Sequence, residues 1–336
     1  MKATVETKEL RRALITLAKI KPTETPVTHC VHIKSEGDIV RFTVTNYEAT
    51  LSIGFYNEGG DGGEHLIAMK DLRKIVSASK DKYTTLMSTT RGLVVRGYTL
   101  NNEMVEFPEH PVIEGAKLTD LAGLKKAVDM VKHAAAKEDS RPVLACINIG
   151  SIEVAAADGF RLALYAMETP FQGIYPAQYL PIVLSPFTEA FIAQDKDYLY
   201  LSDGVSQAWL RPIQRTFPDY SKIIPNPTFT YEVDALGLAH KLPVSYPPGG
   251  EVWDRKDHIH LSFNGTLRLS RPDYTADYPA VGSGECQVTL NRLFLKEALT
   301  VSAGLTTMGI SGPQAPVLVT NGPYSGVIMT ISKEPT

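Results

Sequence analysis

Few residues of the chain combine the types and the spacing that catalysis or metal binding requires. His258 and His260 are two positions apart, which would place both on one face of a strand, but no further ligands accompany them at the spacing of a metal site. The glycine-rich run at 59–63 lacks the Lys-Ser/Thr pair of a nucleotide-binding loop. The sequence therefore predicts neither a bound metal nor a cofactor.

One enzymatic hypothesis remains open, for a site built on Asp158, Arg161 and Tyr220. Such a site would need a deep polar pocket in which the pKa of a carboxylate is perturbed. The surrounding residues are mostly apolar and do not favour such a pocket. We interpret Asp158 and Arg161 as a pair that stabilises a turn, and we expect a protein without catalytic residues.

Basic side chains form a more regular pattern, on the polar faces of two predicted helices in the N-terminal third. Thr7 is expected to cap a helix from Lys8 to about Lys19, and a second helix runs from Met69 to about Ser79. In both helices, apolar residues recur at helical spacing on one side and basic residues occupy the other. These basic residues are Lys8, Arg11, Arg12, Lys19, Lys70, Arg73, Lys74 and Lys80.

The helices predicted farther along the chain carry fewer basic residues. We expect helices over 118–136, over 185–194, which has no basic residue, and over 291–302. The basic residues expected on their solvent sides are Lys125, Lys126, Lys132, Arg292 and Lys296.

The distribution of charge separates two interpretations of these faces. A single basic helix face is ordinarily only solvated. The chain as a whole is slightly acidic, with a net charge of −3, and its acidic excess lies in other segments such as 57–64 and 103–114. Basic faces that are segregated on an acidic protein predict a surface for phosphates that does not read base sequence.

Three stretches resemble one another as strand-turn-strand units, at 37–51, 150–164 and 257–269. A helix-like segment follows each, starting just over thirty residues after the unit begins. A period of roughly 110 residues is too long for a solenoid repeat and suits whole domains. We predict an α+β fold of three tandem domains, at 1–116, 117–229 and 230–336, each with two helices packed on antiparallel sheets.

Composition limits the remaining classes of protein. A hydrophobic content of 43% supplies a core for each domain, and no apolar run is long enough to span a membrane. The three cysteines are far apart and form no Cys-x-x-Cys pair, which indicates a reducing compartment. We therefore expect a soluble, cytoplasmic protein without membrane partners.

Four segments resemble the middle domain of the bacterial sliding clamp, the beta subunit of the replicative DNA polymerase III. They are 141–145, 156–163, 217–220 and 223–225, in the order and spacing of that family. The resemblance extends over nearly the whole chain, including Tyr324 and the strand that follows it, but is weakest in the last third. It implies a divergent or phage-encoded clamp.

The resemblance implies a ring that slides on DNA. In that family two subunits close head to tail, with helices lining a hole around double-stranded DNA. The basic residues named above would then face the duplex without sequence preference, and the protein would be a processivity factor without catalysis. The alternative is a monomeric binding module or decoy that keeps the fold but does not encircle DNA.

The resemblance also implies a pocket for short hydrophobic peptides of the DNA polymerase and the clamp loader. Its walls here would be Leu144, Ala157, Gly159, Phe160, Arg161, Leu162, Pro225, Val327, Met329 and Ile331. Phe160 stands where the family usually has His, and Ala157 where it usually has Thr, so this wall is more apolar.

Two departures from the family concern the contact between subunits. The first helix of the third domain is shortened to about 233–241, because Pro243 cannot continue it. The strand expected around 102–106 carries polar residues where apolar ones are typical. These features predict a weaker or rewired ring contact.

Overall fold

The fold is α+β and antiparallel throughout its sheets. The computed structural model describes residues 1–57, 62–111, 114–137, 141–244 and 257–331. Most of the glycine-rich run at 59–63 therefore lies outside the described residues. The α-helices are α1 Thr7–Leu17, α2 Met69–Ser77, α3 Ala122–Val131, α4 Leu180–Leu184, α5 Ala235–Lys241 and α6 Arg292–Ser302.

Short strands make up most of the remaining regular structure. They are β1 Lys2–Glu6, β2 Cys30–Glu36, β3 Ile39–Thr45, β4 Ala49–Tyr56, β5 Gly63–Ala68, β6 Tyr83–Thr89, β7 Gly92–Val95, β8 Tyr98–Leu100, β9 Lys117–Asp120, β10 Cys146–Ile149, β11 Glu153–Ala157, β12 Arg161–Ala166, β13 Gly173–Pro176, β14 Glu189–Gln194, β15 Leu199–Ser202, β16 Gln207–Leu210, β17 Phe229–Asp234, β18 His258–Asn264, β19 Leu267–Arg271, β20 Tyr274–Tyr278, β21 Val281–Gly282, β22 Glu285–Asn291, β23 Leu305–Ile310, β24 Val317–Asn321 and β25 Tyr324–Ile328.

The chain forms two compact units. Unit 1 comprises Met1–Lys125 and Gln178–Ile213, and unit 2 comprises Lys126–Ala177 and Gln214–Thr336. Unit 1 contains a sheet of four strands, β1-β6-β7-β8, and one of eight, β5-β2-β3-β4-β16-β15-β14-β9. Unit 2 contains a sheet of nine strands, β13-β10-β11-β12-β25-β24-β23-β17-β21, and one of four, β20-β19-β18-β22. The predicted middle third contributes strands to both units, and the boundaries of the three domains stay a prediction.

The three similar stretches each form an antiparallel hairpin. They are β3-β4, β11-β12 and β18-β19, in registers that pair Thr45 with Thr50, Ala157 with Leu162 and Phe263 with Leu267. The turn of the second hairpin requires Gly159, whose φ of +92° is a conformation that favours glycine. The repeated strand-turn-strand units read from the sequence are thus confirmed.

Two predicted helices match closely and two need correction. Helices α2 and α6 lie where the periodicity places them. The helix expected over 185–194 is wrong, because α4 ends before Pro186 and β14 follows with the alternating burial of a strand. The helix expected over 118–136 begins only at Ala122, since residues 117–120 form the edge strand β9.

The two predicted departures at the ring contact have different outcomes. Helix α5 spans only seven residues, which confirms the shortened helix predicted at about 233–241. It begins at Ala235, because Val233 belongs to β17. Around 102–106 there is no regular strand, since β8 already ends at Leu100.

Candidate functional site

The outer faces of α1 and α2 in unit 1 are basic. Leu10, Leu14 and Leu17 of α1 are buried, as are Leu72 and Val76 of α2. The opposite faces and the turns that follow them expose the amino and guanidinium groups of Lys8, Arg12, Lys19, Lys70, Arg73, Lys74 and Lys80. Phosphates could approach these groups from solvent without displacing any core residue.

Arg11 has a different role from its neighbours. Its side chain is half-buried, and its Nη2 donates to the carbonyl oxygens of Ser79 at 2.8 Å and Val76 at 3.3 Å. Val76 lies in the last turn of α2 and Ser79 directly follows its C-cap residue, at a helix end where a cation is favoured. Arg11 therefore holds α1 against α2 and supports the basic face more than it extends it.

Thr7 does not cap α1 as its sequence position suggests. It is the first helical residue, and its hydroxyl pairs with the hydroxyl of Thr84 at 2.8 Å. Glu6 occupies the cap position without a side-chain hydrogen bond to the helix.

Helix α3 and the 3-10 turn that follows it at Lys132–Ala134 add two exposed basic side chains, Lys126 and Lys132. Lys132 Nζ lies 2.6 Å from the carboxylate of Asp129 on the same exposed face. Lys125 is half-buried and donates to the carbonyl oxygens of Phe187 at 2.8 Å and Ser185 at 3.3 Å. Its charge therefore serves the packing of unit 1.

The expectation that Arg292 faces solvent is wrong. Only 4% of its surface is exposed, and its Nη2 and Nε lie 3.0 and 3.2 Å from Oδ1 of Asp257. Asp257 lies directly before β18, which pairs with β22 at the start of α6. Asp257 lies 35 residues from Arg292 in sequence, so helical periodicity cannot predict this pairing. Lys296, one turn later, is half-buried.

Several predicted pocket residues come together in unit 2. Leu144, Ala157, Leu162 and Val327 are buried in one cluster, which we call the apolar cluster, and the rings of Phe217 and Tyr220 pack against it. Leu162 and Val327 face each other in the register of β12 and β25. The pairing of two strands whose facing residues are 165 positions apart thus brings together pocket candidates that come from separate sequence motifs.

Two large apolar side chains remain exposed at the end of this pair of strands. Phe160 is 43% exposed and Met329 is 38% exposed. The backbone N–H of Met329 donates to the carbonyl of Phe160 at 2.9 Å, so the two residues are neighbours. We call this pair the apolar rim.

Arg161 lies beneath the rim and is fully engaged by other residues. Its Nε donates to Asp158 at 3.0 Å, its Nη1 to Glu297 of α6, and its guanidinium lies 4.2 Å from the ring centre of Phe294. Asp158 also accepts from the backbone N–H groups of Phe160 and Arg161, at 2.9 and 3.1 Å. The interpretation of Asp158 and Arg161 as a turn-stabilising pair is confirmed.

Pro225 and Ile331, the remaining pocket candidates, are half-buried. The backbone N–H of Ile331 donates to the carbonyl of Thr289 on β22 at 2.8 Å. Ile331 also lines a cavity of about 570 Å³ together with His260 and Gln287. Its side chain therefore contributes to a different surface of unit 2 from the one that Phe160 borders.

The fold matches solved bacterial sliding clamps over 99% of the chain and the full length of each. The Pseudomonas aeruginosa DNA polymerase III subunit beta, bound to griselimycin, is 19% identical with a TM-score of 0.87. The Thermotoga maritima beta subunit is 19% identical with a TM-score of 0.85, and the Bacillus subtilis sliding clamp 17% identical with a TM-score of 0.86. The chain has the fold of the bacterial DNA sliding clamps. No family model and no curated protein matches the sequence.

The residues of the enzymatic hypothesis are used structurally in this clamp fold. Tyr220 donates its hydroxyl to Oε1 of Glu153 at 2.7 Å, and burial together with that carboxylate raises the pKa of the phenol. Asp158 and Arg161 are paired with each other. Each polar group of the trio therefore has a partner that stabilises the fold.

Sequence reasoning missed Glu297 and Asp257, which fix the two buried arginines of the clamp fold. No local pattern could identify them, since each lies far from its arginine in sequence. Among the described residues, no group of three or more His, Cys, Asp or Glu side chains could hold a metal ion. No helix of the described part is long and apolar enough to cross a membrane.

Proposed function

We propose that the protein is a DNA sliding clamp, a non-catalytic processivity factor that encircles duplex DNA and tethers a polymerase. The full-length likeness to solved DNA polymerase sliding clamps is the observation that carries the proposal. The exposed basic faces of α1 and α2, on a protein of net charge −3, support it. Such segregation suits contact with a polyanion along one surface.

The DNA contact that we propose is electrostatic and loose. It involves the exposed basic residues of α1, α2 and α3 and half-buried Lys296 of α6, but not buried Arg292. Lysine and arginine contacts to phosphate position a protein on DNA without reading its sequence. This independence from sequence is what a ring that slides requires.

The ring that we propose is a head-to-tail homodimer closed through strand edges. Strand β8 is an outer strand of the four-stranded sheet in unit 1, and β20 is an outer strand of the four-stranded sheet in unit 2. An outer strand presents unpaired backbone groups to another chain. The edge of one subunit's β8 against the partner's β20 would make a heterologous contact that closes in a dimer.

Polymerase and clamp-loader peptides would dock at the apolar rim and the apolar cluster beneath it. Exposed Phe160 and Met329 supply the first contact, and Gly159 is exposed beside them. An extended peptide with apolar side chains that fit such a surface is a recurring mode of recognition. Arg161 would position the turn, since its guanidinium is already paired.

Retention on closed circular DNA tests the topological claim. The protein is loaded on a nicked circular plasmid with its clamp loader, or trapped by chemical cross-linking, and separated from free protein by gel filtration. We expect it to remain with the circle at high salt and to be released when the plasmid is linearised. Equal loss from circular and linear DNA would contradict encirclement and favour the monomeric binding module.

A further inference from the structure

Unit 1 contains a second copy of the backbone frame that carries the apolar rim. In its turn, Oδ1 of Asn46 accepts from the N–H groups of Glu48 at 3.2 Å and Ala49 at 2.9 Å. Oδ1 of Asp158 makes the same two bonds in unit 2, to positions two and three residues later. The turn at 46–49 is therefore equivalent to the turn at 158–161.

The strand next to each turn is equivalent as well. In unit 1, β4 pairs with β16, and the N–H of Arg211 donates to the carbonyl of Glu48 at 2.8 Å. In unit 2, β12 pairs with β25, and the N–H of Met329 donates to the carbonyl of Phe160 at 2.9 Å. Glu48 thus corresponds to Phe160, and Arg211 corresponds to Met329.

A repeated aromatic pair supports the equivalence of the two turns. Phe107 and His110 of a Phe-Pro-Glu-His segment meet edge to face at 6.3 Å in unit 1. Phe217 and Tyr220 of a Phe-Pro-Asp-Tyr segment meet edge to face at 6.0 Å in unit 2. His110 bonds Thr50 on the strand that follows the first turn, while Tyr220 packs against the apolar cluster at the second.

The two copies differ in the chemistry of their rims. Unit 2 exposes the apolar side chains of Phe160 and Met329. Unit 1 exposes the charged side chains of Glu48 and Arg211, and Arg211 donates to the hydroxyl of Tyr198 at 2.7 Å while lying over its ring. An apolar side chain that covered the charged rim would have to desolvate a carboxylate and a guanidinium, which is costly.

We propose that Glu48 and Arg211 exclude apolar peptides from the frame in unit 1, although its backbone is equivalent to the frame that carries the apolar rim in unit 2. This inference rests on the proposed function, because it specifies the peptide-docking site of that clamp. It assigns one docking site per chain to a molecule that contains the frame twice.

Exchange of the two rims tests the proposal. The probe is the tightest binder from a pool of fluorescein-labelled hexapeptides with Leu, Met, Phe or Trp at two adjacent positions in a Gly/Ser frame. We expect the wild-type full chain to bind one peptide per chain in fluorescence anisotropy titrations. F160E/M329R should weaken binding at least tenfold, and E48F/R211M should raise the stoichiometry towards two.

Controls separate loss of the rim from loss of the fold. I152S changes another exposed apolar residue of unit 2 and should bind as the wild type does. F160S/M329S removes the rim without adding charge and should also weaken binding, with an unchanged thermal unfolding midpoint. A stoichiometry of one peptide per chain in E48F/R211M would overturn the inference. Unaltered binding by both rim variants of unit 2, or a wild-type chain that binds no peptide of the pool, would overturn the proposed docking function itself.

Discussion

At the residue scale, the turn at 158–161 shows how polar side chains support an apolar surface. Arg161 joins the turn to α6 through Glu297 and Phe294 and is itself almost entirely buried. A buried guanidinium needs partners for its charge, because it has been removed from water. The position of Phe160 at the rim therefore depends on Glu297, which lies too far from Arg161 in sequence to be predicted as its partner.

Replacement of Glu297 by Ala should destabilise unit 2. The change leaves buried Arg161 with Asp158 as its remaining carboxylate partner, and an incompletely paired buried group of this kind costs about 2 kcal/mol. Urea unfolding followed by circular dichroism measures the loss. Lys296→Ala, the adjacent change on α6, should shift the free energy of unfolding by no more than about 0.5 kcal/mol; an equal effect of both variants would contradict the role given to the ion pair.

Two histidines should make the folded protein sensitive to mild acid. Burial, with Arg211 nearby, lowers the pKa of His110 to about 4, and burial, with Arg161 nearby, lowers the pKa of His133 to about 4, both from 6.5. The unfolded chain thus binds these protons more readily than the fold does. Their contribution to stability is fully present above pH 6.5 and is lost as the pH falls from 6.5 towards 4.

Urea midpoints measured between pH 7 and pH 4.5 check this dependence. We expect the urea midpoint to fall less steeply with decreasing pH in the double variant His110→Gln, His133→Gln than in the wild type. His29→Gln, at an exposed position, is the matched control and should follow the wild type. A double variant with the wild-type slope would show that other groups control the acid sensitivity.

At the element scale, periodicity predicted helices well where one face is plainly apolar, as in α2 and α6. It misassigned 185–194, since a short apolar run fits a helix or a buried strand equally and only the pairing of β14 with β9 and β15 decides. The basic faces of α1 and α2 were predictable from sequence because exposure on an amphipathic helix follows from its period. The burial of Arg292 was not predictable, because its partner Asp257 lies 35 residues away in sequence, directly before β18.

Removal of three charges from α2 should weaken DNA retention and its dependence on salt. For K70A/R73A/K74A we expect the slope of log binding constant against log salt to fall in magnitude by about 3, since each lost phosphate contact contributes roughly 0.9. Titration of a labelled duplex at several salt concentrations between about 50 and 200 mM, a range over which phosphate contacts lose affinity, measures the slope. K34A/K196A/K222A removes three lysines outside the basic helix faces, and a similar effect of that control would argue against the assigned surface.

At the scale of the whole molecule, the clamp fold persists at 17–19% identity over essentially the full chain. Such persistence is expected when core positions keep their apolar pattern while individual side chains change. Helix α5 has only seven residues and residues 102–106 form no regular strand, and we predicted both segments to bear on the contact between subunits.

Light scattering across a series of concentration and salt tests the ring in solution. We expect a mass near twice 36.8 kDa at micromolar concentration, with dissociation on dilution, since the shortened α5 predicts a weaker contact. Tyr98→Asp, at the exposed β8 edge, should shift the mass to that of one chain, because a carboxylate would be buried in the contact. Tyr56→Asp, at an exposed position in the same unit, should not; a wild-type mass of one chain at every concentration would contradict the self-closing dimer.

The sequence by itself determined the features that depend on neighbours in the chain. Hairpin turns, the basic faces of α1 and α2, the shortened α5 and the pairing of Asp158 with Arg161 all arise from local spacing. Only the tertiary structure decided which strands join, that Glu297 pairs with Arg161 and Asp257 with Arg292, and which of two equivalent frames displays an apolar rim. The physical reason is that burial and charge pairing in these cases involve residues 35 to 165 positions apart, brought together by sheet register.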